Sequence, residues 1–215
     1  VEESAVAGRL DLRDKVVITI DGASSKDLDD AVSLERDGLG RWVLGVHIAD
    51  VSHYVRPGSA LDLEAWERGT SVYFADQVVP MLPRELSNGI CSLNPRVDRL
   101  ALSCVMTLTP EGEVVDHTIA KSVIRTTERM TYEDCNALLA HSDPALAERY
   151  ARILPMLEDM AALSRVLEGR RRRRGALELD TRESYVVCDE SGTPVDVVLR
   201  TPGTVSYTHL RAHET

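Results

Sequence analysis

The sequence predicts an α+β fold, a mixed, mostly antiparallel sheet with flanking helices. Three observations carry this expectation. β-Branched runs bounded by glycine turns come early in the chain, an alternating hairpin follows, and the long helical patterns come after these strands rather than between successive ones. That order is not a βαβ alternation. With 215 residues, 43% of them hydrophobic and 28% charged, the chain can build the core of one globular domain or of a piece of a larger one.

The elements follow in order. Segment 15–22, "KVVITIDG", has the β-branched content of a strand and stops at a glycine turn. The acidic "SSKDLDDAVSLE" behind it is too polar at its start for a buried strand, so its aspartates belong to a loop and to the start of the next strand. "ERDGLGR" reads as a hairpin-type turn, and "RWVLGVHIADVSHYV" (41–55) as a second, longer strand. In "GSALDLEAWERGTSV", Ser59 offers a cap, apolar residues recur at helical spacing, and Gly69 offers a stop. "LALSCVMTLTPEGEVVDHTIAKSVIRT" alternates on both sides of a turn at 110–113 and predicts a hairpin. Thr131 and Asp134 have capping-box spacing at the head of "TYEDCNALLA". The helical pattern continues through "PALAERYARILPMLEDMAALSRVLEGRRRRR", with an interruption near Pro155. A last hairpin turns at 191–194. No internal repeat is present.

The formal charge of −10 argues at first against a nucleic-acid partner, because phosphate binding leaves a basic footprint. Four of those negative charges fall in one cluster, however, and Arg170 to Arg174 are consecutive arginines. A polyanion responds to the local field, not to the average. Cys91, Cys104, Cys135 and Cys188 lie far apart without a C-x-x-C pair, so they are expected to be buried small hydrophobes rather than zinc ligands or a disulfide framework. No apolar run approaches the ~20 residues that span a bilayer, and no basic-then-apolar leader opens the sequence, so no membrane partner is expected and the expected location is cytoplasmic.

The cluster is Asp21, Asp27, Asp29 and Asp30, four like charges directly behind a strand. Such crowding destabilises a fold unless something positive sits among the charges. A divalent cation is the simplest candidate: carboxylate oxygens favour Mg²⁺, Mn²⁺ or Ca²⁺, and the absence of interleaved His or Cys counts against zinc. A calcium loop counted from Asp27 fails, with Val32 where glycine is needed and Gly38 where a bidentate glutamate is needed. Mg²⁺ keeps waters and shares carboxylates with phosphate oxygens, and two ions ~4 Å apart would clamp the attacking and leaving oxygens of an in-line displacement. Against this stands the ordinary use of Asp in turns and caps, under which D-x-D-D is a solvated loop. The pattern alone leaves both open.

"TIDGASSKDLDDAV", followed by "GVHIADVSHYV", "SVYF", "VVPMLP", "LSNGICSLNP" and "DRLALS", resembles the catalytic (RNB) domain of the ribonuclease II and ribonuclease R exoribonucleases, closer to ribonuclease R. The resemblance runs from about Leu10 to Leu199. It implies an Mg²⁺-dependent (or Mn²⁺-dependent) hydrolytic 3′→5′ exoribonuclease that degrades single-stranded RNA processively to 5′-mononucleotides by a two-metal mechanism. It assigns Asp21, Asp27, Asp29 and Asp30 to the metal site and ties Asp29 most closely to catalysis. Tyr73 matches the tyrosine that stacks on the terminal nucleotides; without the resemblance, a half-buried strand aromatic would be the better reading. His47 and His53 tempt as a metal pair, but their spacing beside a strand reads as structural for His47. Arg170 to Arg174 either line the RNA path or form a solvated helix end that favours cations.

The resemblance also implies flanking OB-fold RNA-binding domains on both sides, a monomeric full-length enzyme, and a catalytic domain that continues past Arg200 into a helix and an arginine-bearing segment. Residues 1–204 are accordingly expected to be the N-terminal part of a truncated RNB domain, inactive by itself. The ending "VSYTHLRAHET" (205–215) resembles the translation of a transposase adapter used in sequencing libraries and is expected to be a non-native tail. The alternative reading is an RNA-binding or scaffold module of the same fold without catalysis, against which the presence of all four aspartates argues.

Overall fold

Residues 1–75, 77–177, 183–189 and 191–200 are described by a computed structural model. The first half of the chain gives α1 (Glu3–Val6), β1 (Leu10–Asp11), β2 (Ile18–Asp21), β3 (Asp30–Arg36), β4 (Trp42–Ala49), α2 (Val51–Tyr54), α3 (Ala60–Arg68), β5 (Val72–Tyr73) and β6 (Val78–Val79). After a π-helical turn at Glu85–Ile90 come β7 (Asp98–Leu108), β8 (Val114–Arg125), β9 (Glu128–Thr131), α4 (Tyr132–Leu139), α5 (Pro144–Arg149), α6 (Leu154–Arg173), β10 (Glu183–Cys188) and β11 (Pro194–Arg200). The segment 205–215, expected to be a non-native tail, lies outside the described residues.

Seven strands form one sheet in the order β1–β8–β7–β4–β3–β2–β9. The five central strands pair antiparallel, and the two short edge strands, β1 on β8 and β9 on β2, pair parallel. The expected mixed, mostly antiparallel α+β sheet is the one observed. The turns and caps read from sequence are also present: Ser59 accepts from the Asp62 amide, Thr131 from the Asp134 amide, and Gly69 ends α3 at φ 71°. The interruption near Pro155 falls at residues 150–153, between α5 and α6, with Pro155 in the first turn of α6 where its missing N–H is harmless.

One expectation is corrected. The long strand 41–55 ends at Ala49, because Asp50 turns inward and residues 51–54 become α2. Asp50 accepts Arg9 Nη2 at 2.7 Å and Ser52 Oγ at 2.7 Å, and its amide is held by Leu100 O at 3.0 Å. The apolar positions of α3 bury nothing among the described residues, since Leu63 and Trp66 stay exposed, Trp66 to 87%. The cysteines divide: Cys91 and Cys135 are buried as expected, whereas Cys104 and Cys188 are half-buried, and all four are free.

The sheet has a core on each face. On one, Ile18, Val32, Leu34, Trp42 and Met130 pack with Cys135, Leu138, Ile153 and Leu157, so α4 and α6 cover β2, β3 and β9. On the other, Val17, Leu28, Ala31, Leu93, Ala101 and Ile124 form a smaller cluster. Each such aliphatic side chain contributes ~1.5–3 kcal/mol by leaving water. A polar line crosses the second face: His47 Nδ1 meets Ser103 Oγ at 2.7 Å, His47 Nε2 meets Ser33 Oγ at 3.0 Å, and Ser103 meets Ser122 at 2.6 Å. Burial pushes the His47 imidazole down to about 4, so it is neutral and structural. Gly45 makes room for it, because a Cβ there would stand 2.7 Å from His47 Nε2. The β10–β11 hairpin leaves Tyr185, Val195, Val197 and Leu199 exposed.

The Arg9–Asp50 pair fastens the N-terminal segment to the end of β4, with side chains only 6% and 4% exposed. Burial alone would raise the Asp50 carboxyl, but hydrogen bonds from Ser52 and Arg9 and the Arg9 charge outweigh it and hold the group below its ordinary value. Arg9→Met leaves that charge buried without its partner, and the expected loss of stability at neutral pH is about 3 kcal/mol. A depressed carboxyl stabilises the fold above its unfolded value and loses that contribution as pH falls through the folded one. The gap between Arg9→Met and the unaltered protein should therefore narrow on acidification below pH 4, measured by denaturant unfolding at several pH values. An equal gap at all pH values would assign the loss to packing instead.

Candidate active site

Strand β2 delivers Asp21 at its last position, and β3 begins at Asp30. The β2–β3 ladder records one antiparallel pair, Ile18 with Val32. Continued along both chains, that register brings Asp21 level with Asp29. The amide of Ala49 donates to Asp29 O at 2.9 Å, which extends the β3–β4 ladder one residue beyond β3. Side chains alternate across a pleat, so Asp29 shares the face of Ala31 and Ser33, while Asp30 shares that of Val32 and Leu34.

The connection between β2 and β3 is held from outside. Ser92 Oγ accepts from the Leu28 amide at 3.0 Å and donates to Lys26 O at 2.9 Å, and the Leu93 amide donates to Leu28 O at 2.8 Å. Arg99 on β7 fixes that clamp in turn, donating to Ser92 O at 2.8 Å and Gly89 O at 3.2 Å. At the other end, Arg129 on β9 donates to the carbonyls of Gly22, Ala23 and Ser25.

Opposite the loop stands the β5–β6 hairpin, whose tip is closed by Phe74 N–H donating to Gln77 O at 2.8 Å. Tyr73 is 64% exposed, and its hydroxyl donates to Asp27 Oδ2 at 2.8 Å. That hydrogen bond, followed by burial, pushes the phenol above its ordinary value, so it remains a neutral donor. A cavity of about 610 Å³ opens between the two, lined by Lys26, Asp27, Tyr73, Phe74, Arg84 and Asn88 among others. Two aromatic residues and two cations thus line one space.

The structure brings Asp27, Asp29 and Asp30 into each other's field. Asp29 is exposed to solvent, yet nearby protein partly desolvates its carboxyl. This burial, and then the charges of Asp27 and Asp30, push it up to about 6. Of the four aspartates only Asp27 lines the cavity. Among the described residues no group of three His, Cys, Asp or Glu side chains is gathered tightly enough to grip an ion. The pleat accounts for this, since neighbouring positions 29 and 30 face opposite ways. His53 Nδ1 stands 3.5 Å from Arg9 Nη2, beside the Arg9–Asp50 pair. The arginines from Arg170 onward occupy the last turn of α6, where Arg172 pairs with Glu168 at 2.7 Å.

Sequence reasoning missed Arg129, Ser92 and Arg99, which hold backbone rather than present chemistry. Ser92 and Arg99 lie within the quoted motifs "LSNGICSLNP" and "DRLALS", but nothing local in those motifs tells what they hold. Their roles depend on partners 64 to 107 positions away for Ser92 and Arg129.

The chain was compared with known proteins. The model of the RNB domain matches residues 9–213, which runs into the segment read as a tail. Ribonuclease R 1 of Lactococcus lactis subsp. lactis is 53% identical over 203 residues, covering 94% of this chain and 25% of that protein. Ribonuclease R of Thermotoga maritima is 46% identical over 220 residues, covering 100% of this chain and 31% of that protein. The solved structure of Mycoplasma genitalium RNase R in complex with ribose-methylated single-stranded RNA superposes with a TM-score of 0.91 at 29% identity, covering 99% of this chain and 33% of that one. The chain therefore spans a quarter to a third of the length of these relatives. Among the described residues, no helix is long and apolar enough to cross a membrane. The chain belongs to the RNB domain family, on its ribonuclease R side.

Proposed function

We propose that this chain is the part of a cytoplasmic, hydrolytic 3′→5′ exoribonuclease that holds the metal-ligating carboxylates and receives the end of single-stranded RNA. The observation that carries the reading is the unanswered negative charge at Asp29. Burial and two neighbouring carboxylates raise it to about 6, and among the described residues no cation offsets them. A group in that field binds a proton or a metal cation. The donors are all hard oxygens, which fit Mg²⁺ or Mn²⁺, and an ion that keeps several waters does not need a closed protein cage.

Asp21, Asp27, Asp29 and Asp30 would hold the metal. When bound, a pair of divalent ions supplies Lewis-acid stabilisation of the attacking and leaving oxygens of the phosphodiester. The protein's own residues do the rest. Tyr73, its hydroxyl fixed by Asp27, presents an exposed ring on which a base can stack with ~1–3 kcal/mol and no sequence preference. Lys26 and Arg84 place positive charge in the same cavity, where the RNA backbone passes. Asp29, closest to the reacting phosphate in this reading, works as the carboxylate. Processive release of 5′-mononucleotides, the monomeric state and the flanking OB-fold domains belong to the whole enzyme. The RNA complex of the Mycoplasma relative supports the choice of substrate.

In the intact enzyme, Asp29→Asn keeps the size of the side chain and removes its charge. RNA binding should persist within about threefold while hydrolysis falls by at least ~100-fold, measured by filter binding and single-turnover cleavage. Parallel loss of both would place Asp29 in folding, not in chemistry.

The same substitution gives a stability test without metal. A carboxyl raised from 3.8 to about 6 stabilises the fold below pH 3.8 and loses that contribution as pH rises through 6. The charged Asp29 therefore strains the metal-free protein at neutral pH. Asp29→Asn should stabilise it there by ~1 kcal/mol, since two pH units would be ~3 kcal/mol unscreened and solvent access reduces this. The gain should vanish near pH 3.8. A loss of stability at neutral pH would contradict the charge crowding.

A further inference from the structure

We propose that Arg129 is the positioning residue of the acidic loop, setting the conformation of residues 22–25 and through them the placement of Asp21 and Asp27. The inference rests on the metal-site reading above. It begins from the register of the parallel pair β2–β9, in which Thr19 lies beside Arg129 and Asp21 beside Thr131. Arg129 therefore starts two residues behind Asp21 and runs along the same pleat face toward the turn.

Its Nη2 stands 3.1 Å from Gly22 O, 2.8 Å from Ala23 O and 2.8 Å from Ser25 O. Nη2 has two hydrogens for three carbonyls, which share them, and the positive charge on the guanidinium strengthens each of these contacts and offsets the mutual repulsion of the converging oxygens. Little else holds it. The β2–β3 ladder has one residue pair, and the backbone bond inside the turn is Ser25 N to Gly22 O at 3.0 Å. Beyond the turn, the Ser92 clamp grips Lys26 and Leu28. Among the described residues, side chains from outside thus hold the backbone of residues 22–28 at two points, with Asp27 inside the second and Asp21 immediately before the first.

The placement of Arg129 is not explained by its own needs. Its Nε is buried without a hydrogen-bond partner among the described residues, whereas a solvent-facing arginine would satisfy every donor with water. Its Nη2 is engaged by neutral carbonyls, so it shapes the loop without forming an ion pair with Asp27 or Asp29. The carboxylates keep their negative field while the backbone that carries them is fixed.

The test compares Arg129→Met and Arg129→Lys with the unaltered intact enzyme. The first keeps the aliphatic stem and loses all donors; the second keeps a cation. In Arg129→Met, amides of residues 23–28 should exchange hydrogen ~10-fold faster without metal, and Mn²⁺, titrated by electron paramagnetic resonance, should bind ~10-fold more weakly. The Mg²⁺ concentration for half-maximal RNA cleavage should rise in parallel, with KM for RNA unchanged and the rate at saturating Mg²⁺ within about twofold of normal. Arg129→Lys should recover part of both the exchange protection and the Mn²⁺ affinity; if Arg129→Met does not fold, Arg129→Lys against the unaltered enzyme carries the test, with smaller changes in the same direction. Unchanged exchange and Mn²⁺ affinity in the folded variant would overturn the proposal. Should the unaltered enzyme bind no Mn²⁺, the metal-site reading fails instead, and the exchange comparison alone then decides whether Arg129 holds the loop.

Discussion

Like charges must be held close here against their own repulsion, and the rest of the site follows from how that is done. Burial, and then the neighbouring charges of Asp27 and Asp30, push the Asp29 carboxyl up to about 6. A salt bridge to Asp29 would relieve the strain and would also fill the place a metal cation needs. The fold instead grips the backbone. Arg129 binds carbonyls of the loop, Ser92 binds an amide and a carbonyl, and Tyr73 gives Asp27 a neutral hydrogen bond. Rigid backbone and charged side chains coexist because the cationic Arg129 is directed at neutral carbonyls and the donor that reaches Asp27 is an uncharged hydroxyl.

That grip reaches far into the sheet. Ser92 is placed by Arg99, which stands on β7, and β7 is flanked by β4 and β8, the longest ladders of the molecule. Arg129 is placed by the parallel pairing of β9 on β2, the strand that ends in Asp21. The two parallel edges contain few residues. One of them nevertheless determines the shape of the acidic loop, and the other lies beside the buried Arg9–Asp50 pair that ends β4.

The sequence was legible where a residue acts on its own neighbours. Ser59, Gly69 and Thr131 bound helices because caps and left-handed stops are local, and the turns at residues 37–41 and 109–113 carry their own glycines. The aspartates of the site were readable as a loop ahead of a strand for the same reason, and family motifs supplied roles for them that spacing could not. What escaped was set by distant partners. The predicted strand 41–55 ended early because Asp50 meets Arg9, 41 positions away. β9 was invisible because four residues at a parallel edge show no alternation worth the name. Arg129 has no signature at all, since its partners become neighbours only once β9 has paired with β2.

The account depends on Asp29 lying in a negative field that a divalent cation answers. The most direct measurement is a carboxyl-carbon NMR titration of Asp29 in protein labelled with ¹³C at aspartate, with assignment by Asp29→Asn, in the absence and presence of Mg²⁺. Without metal the resonance should titrate at about 6, and with saturating Mg²⁺ the transition should move down by at least one pH unit. An ordinary carboxylate titration near 3.8 in the metal-free protein, or a raised one that Mg²⁺ leaves in place, would contradict it.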